Sequence, residues 1–147
     1  MLERIQIQQL ETLFSSQTTG VLATEVNHQP YANLVAFSYS NNFKNIYFVT
    51  QKNTRKYGNL CQNPNISMII DNRKNDPVNF KNAIAVTAIG QATELIDENR
   101  MNHIELHRKR LPGLEHFTRL SSVALFKIDV QMYILADGLM NISTYYL

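Results

Sequence analysis

Thr50-Gln51-Lys52-Asn53-Thr54-Arg55-Lys56 joins an apolar run to a short helical pattern, and its reading decides the fold. Ahead of it, Asn45-Ile46-Tyr47-Phe48-Val49 is rich in β-branched and aromatic residues and reads as a strand. Behind it, Tyr57 to Gln62 continues one helix until Asn63-Pro64 stops it. Thr54 is the expected N-cap, which places Arg55 and Lys56 in the first helical turn. Cations oppose the usual preference there, because a helix N-terminus is already electropositive. Free amides, hydroxyls and positive charge at one point are what a phosphate requires. An ordinary strand-to-helix turn with surface charges is the alternative, so the rest of the chain has to choose between them.

Outward from this turn, the pattern is mostly strand. Residues 20–25, 31–39, 45–49, 66–70, 82–95 and 122–135 read as strands, with a strand-like tail at 140–147. Asn27-His28-Gln29-Pro30 and Asn41-Asn42 read as turns, and Lys74 to Lys81, containing Asp76-Pro77, as an irregular loop. Gly90 inside a long strand predicts a bulge or a close approach. Helical spacing appears at 3–16 (Ile5, Leu10, Leu13, Phe14), 55–62 and 97–110, with one or two further turns at 114–120. Asp97 and Glu98 at the start and Arg108-Lys109-Arg110 at the end of the third helix match the helix dipole, and the basic run is assigned to that terminus. Strands joined by short loops, with few helices, predict a mainly β, six-stranded antiparallel barrel in a single domain. No Gly-rich turn follows the first strand, so a dinucleotide-binding βαβ reading fails.

Composition narrows the function classes. The 147 residues carry a formal charge of only +2, too little for a broad nucleic-acid-binding field. Tyr31, Phe37 and Tyr39 share a strand face, but that face has no Lys or Arg, so nucleic acid ranks last. The N-terminal residues have no signal-peptide core and no stretch suits a membrane span, so no membrane partner and a cytoplasmic location are expected. One cysteine excludes an internal disulfide framework. Cys61 is read as a buried thiol and His103 and His107 as solvent-facing histidines on a charged helix. They are not read as a metal pair, because no third ligand has the right spacing.

In order along the chain, Gln29-Pro30-Tyr31, Tyr47-Phe48-Val49-Thr50 with Thr54-Arg55-Lys56, Asn59-Leu60-x-x-Asn63-Pro64 and Val86-Thr87-Ala88-Ile89-Gly90-Gln91-Ala92 resemble the pyridoxamine 5′-phosphate oxidase-like, FMN-binding split-barrel family. The resemblance runs from about Gly20 to Leu135. It implies a homodimer with FMN at the interface. Thr50 and Thr54 would offer hydroxyls to the phosphate, and Arg55 and Lys56 its countercharges. Leu34, Val35, Ala36 and Phe37 would run along the flavin ring, with Asn33 beside them at the cofactor and Asn72 and Arg73 reaching it or a substrate from the partner subunit. Asn33 and Ser38 stand where vitamin-oxidising members carry an Arg and a Lys, and the chain has no Trp. The expected function is therefore that of a general member: a flavin-dependent oxidoreductase acting on an unknown small molecule or electron donor. A non-catalytic carrier or sensor of flavin or haem, or a deazaflavin in place of FMN, is the alternative.

Overall fold

The computed structural model describes residues 2–147 and closes the strands into an antiparallel barrel. Helix α1 (Arg4–Ser16) leads into β1 (Thr19–Val26), β2 (Gln29–Tyr39) and β3 (Asn45–Gln51). Helix α2 (Arg55–Gln62) then precedes β4 (Asn65–Asp71) and β5 (Ile84–Leu95). Helix α3 (Asp97–Arg110), a 3₁₀ turn (Pro112–Leu114) and α4 (Glu115–Thr118) lead to β6 (Val123–Asp137) and β7 (Asn141–Tyr146). The pairing order β3-β2-β1-β4-β5-β6-β7, with β3 also paired to β6, gives six strands in a ring and one appended to it.

The β1–β2 hairpin is tighter than its sequence suggests. Only Asn27 (φ 53°) and His28 (φ 64°) form the turn, and Gln29 and Pro30 already belong to β2. A two-residue loop with both φ values positive matches the twist of the flanking strands. Pro30 is tolerated because β2 pairs with β3 only over Phe37–Tyr39, leaving one side of its first half unpaired. Gly90 faces a register shift in which Ile89 pairs with Met132 and Gly90 with Val130. A Cβ there would lie 2.2 Å from the Asp129 carbonyl oxygen, so the bulge requires glycine.

The inward rows Leu22, Phe37, Ile46, Phe48, Met68, Ile70, Val86, Ile128 and Tyr133 fill the barrel. Helix α1 plugs one end, and Phe14, fully buried, meets Phe37, Tyr39, Phe43 and Tyr133 edge-on at 5.3–6.0 Å. Ile5 does not join that face; it is 71% exposed. Helix α2 closes the opposite end through Leu60, with Asn59 donating to Thr24 Oγ1 (3.0 Å) and Asn63 to the Glu25 carbonyl (3.1 Å). Helix α3 lies outside β2 and β3, with Ile104 covering Val49, Leu125 and their neighbours.

Candidate functional site

Thr54 caps α2: its Oγ1 accepts from the Tyr57 amide (3.4 Å) and donates to the Gln51 carbonyl (2.8 Å). Because that hydroxyl proton is committed, Thr50, 3.0 Å away, donates to Thr54. Thr50 in turn accepts from Lys56 Nζ at 3.1 Å. A directed chain thus runs from Lys56 through two hydroxyls to a backbone oxygen. It leaves Lys56 two more N–H donors and, among the described residues, no carboxylate within ion-pair distance. Burial pulls the Lys56 pKa below the ordinary lysine value. Arg55 sits over the Tyr31 ring at 5.4 Å and likewise has no acidic partner among the described residues. The nearby acid, Glu94, is held by Tyr57 Oη (3.0 Å) and Lys52 (3.7 Å), and this hydrogen bond pushes the Tyr57 phenol up to about 12. Half-buried positive charge beside two hydroxyls and an exposed helix N-terminus is a donor set that fits a phosphate.

The unpaired first half of β2 opens beside this cluster, so Leu34 to Ala36 have no second strand to bond. Leu34 points outward and is 69% exposed, with Ala36 half-buried on the same face. Val35 and Phe37 point into the barrel core, which corrects their expected place along a ring: only their backbone is available. Asn33 faces inward too, and its Oδ1 is buried without a hydrogen-bond partner.

Asn72 and Arg73 do not join the cluster within one chain. They follow the far end of β4, about 20 Å from its first residue at 3.3 Å per residue. There Asn72 bonds Asn82 and Ile84, and Arg73 pairs with Asp71 at 2.6 Å.

The outer face of the sheet is uniformly uncharged over two adjacent rows. One reads Leu34, Val21, Ile69, Thr87, Ile134, Thr144; the next reads Ala32, Ala23, Ser67, Ile89, Met132, Tyr146. The face runs from the opening at β2 across to β7, whereas the solvated face of an antiparallel sheet normally alternates to polar side chains.

Three expectations beyond the site are corrected. His107 is fully buried between α3 and β2, not solvent-facing; desolvation, with the Arg110 charge second, pulls its pKa down to about 4. Its Nδ1 meets Ser38 Oγ at 2.7 Å, and Ser38 therefore lies beneath α3 rather than at the opening. His103 is half-buried and stacks on Tyr47 at 5.0 Å. Cys61 is exposed, because only Leu60 of α2 is buried. Arg110 does not serve its own helix. It donates to the Phe14 and Gln17 carbonyls at the end of α1. The Ile104–His107–Leu111 spacing was the available signal for the buried face of α3.

The ring of six strands, with β2 open beside the turn that leads into α2, defines a split-barrel class of protein. The sequence profile described as pyridoxamine 5′-phosphate oxidase matches residues 7–133, so the chain belongs to that family. No curated protein matches the sequence. Among solved structures, a haem-binding protein from Mycobacterium smegmatis superposes with a TM-score of 0.84 at 16% identity, covering 99% of this chain. This chain spans only 60% of that protein. General Stress Protein 26 from Bacillus anthracis gives 0.72 at 20% identity, covering 96% of this chain and 98% of its own. An FAD-binding protein from Mesorhizobium loti gives 0.68 at 18% identity, covering 87% and 90%. At these identities the likeness is one of fold. No helix among the described residues is long and apolar enough to cross a membrane.

Proposed function

We propose that the protein binds FMN as a homodimer and acts as a flavin-dependent oxidoreductase on a small molecule. The observation that carries this is Lys56: a half-buried ammonium, bonded to Thr50 and indirectly to Thr54, that has no carboxylate to neutralise it. A dianionic phosphate supplies the missing countercharge. Arg55 adds a second cation at the rim, and the free backbone of Leu34–Ala36 offers hydrogen bonds to the polar edge of a flat ring. Bound flavin supplies the redox chemistry; the residues named here bind and orient it.

The uncharged outer rows support the homodimer, since a sheet face of this kind is stable when covered by its own copy. Such pairing would carry the partner's Asn72 and Arg73 toward the opening, as the family resemblance implies. A haem carrier is the second reading, taken from the Mycobacterium smegmatis likeness. The two outer rows hold no histidine or cysteine to ligate iron, so FMN leads.

The Arg55→Ala/Lys56→Ala variant tests the assignment. One charge-assisted hydrogen bond is worth about 1.5–3 kcal/mol. FMN affinity, read by fluorescence quenching, should fall at least about tenfold while the far-ultraviolet circular dichroism is unchanged. Unaltered affinity removes the site. A Soret band without flavin absorption in the purified protein would favour haem.

A further inference from the structure

A second recess lies outside the barrel, away from α2. It is bounded by the end of β2 and the following turn, by Tyr47 at the start of β3, and by the last two turns of α3. Its volume is about 620 Å³. Two cations, Lys109 and Arg110, line it, and no Asp or Glu does. Asp129, whose charge is felt at Tyr47, is already taken by Lys127 (2.9 Å) and Asn45 (2.7 Å).

Arg110 is only partly used by the fold. Its Nε and Nη2 donate to the Phe37, Phe14 and Gln17 carbonyls, and its plane lies 4.6 Å from the centre of the Tyr39 ring. Nη1 has no protein acceptor among the described residues, and a carbonyl-bound guanidinium keeps its whole positive charge.

Ser38 supplies a third donor. His107 Nε2 is buried with no partner. A bare lone pair is tolerated there more readily than a bare N–H, so the proton resides on Nδ1 and is donated to Ser38 Oγ. The Ser38 hydroxyl hydrogen is then free to turn into the recess that Ser38 lines. One turn before Lys109 and Arg110 on α3, Leu106 is 64% exposed and lines the recess with the Tyr47 and His103 rings.

We propose that this recess is a binding site for a small organic carboxylate, its oxygens held by Arg110 Nη1, Ser38 and Lys109 and its apolar body lying toward Leu106. With Nε and Nη2 already bonded to carbonyls, Nη1 offers a single-point, charge-assisted contact, and the exposed Leu106 beside it favours an anion that carries an organic body.

The test is a titration of the full-length protein with sodium benzoate, acetate and phosphate, followed by ¹H–¹⁵N correlation spectra. Benzoate should shift amides of residues 38–41 and 103–110 saturably, and acetate, lacking the apolar body, should bind about tenfold more weakly. Lys109→Gln, an exposed change, should weaken benzoate about threefold. Ser38→Ala, where it folds, should do the same or more. FMN should leave the benzoate affinity unchanged. Absence of saturable shifts, shifts confined to other residues, or displacement by FMN overturns the proposal. So does undiminished affinity in Lys109→Gln, which does not depend on Ser38→Ala folding. Phosphate binding as tightly as benzoate overturns the carboxylate assignment.

Discussion

His107 should make the protein acid-sensitive in a defined window. In the unfolded chain it takes a proton near 6.5, whereas in the folded chain burial defers protonation to about 4. Between those values the unfolded state binds more protons, so stability falls as pH drops from 6.5 and the loss is complete below 4. At about 1.36 kcal/mol per unit, the full loss is about 3 kcal/mol. Changing His107 alone would strand the Ser38 hydroxyl, so the informative variant is Ser38→Ala/His107→Leu, which removes both partners. Urea unfolding at about pH 7.5 and about pH 4.5 measures the effect, and the carboxylates common to both proteins cancel. The native chain should lose about 2–3 kcal/mol more than the double variant between the two conditions. Equal losses in the two proteins would refute the argument, and with it the reading of His107 as buried and neutral.

Phe14→Ala should cost about 3–5 kcal/mol in urea unfolding, because four aromatic edges lose their shared partner. Ile5→Ala, at the exposed side of the same helix, should change stability by less than about 0.5 kcal/mol. Gly90→Ala should destabilise by more than about 2 kcal/mol or prevent folding, since the added methyl meets backbone at 2.2 Å. Leu34→Glu, on the uncharged outer face, should halve the mass found by sedimentation at micromolar concentration if that face joins two copies; an unchanged dimer would place the interface elsewhere.

The strands were legible because their alternation was regular. Leu22-x-Thr24, Ile66-x-Met68-x-Ile70 and Val86-x-Ala88 all place alternate residues in the interior. The Thr50–Lys56 turn was legible because cap chemistry is local, and the structure does bring Thr50, Thr54 and Lys56 together. What escaped was non-local. A histidine amid Arg and Lys reads as surface by composition; the Ile104–His107–Leu111 spacing marks a face of α3, and its packing on β2 is what buries that face. Val35 and Phe37 share a strand with Leu34, yet the barrel's interior claims them. Asn72 and Arg73 sit close to the turn in sequence and far from it along β4, and no periodicity records that separation.

The register shift opposite Gly90 divides β6 into two parts with different duties. Residues before it lock against β3 and shut the ring; those after it escort β7 and, with it, furnish a third of the uncharged outer rows. The shift accommodates the extra residue, Gln131, without disturbing either part. Were Gln131 drawn into the regular ladder instead, Met132 and Ile134 would swing into the interior and Tyr133 would be thrown out, reversing the protein's inside and outside along that end of the strand.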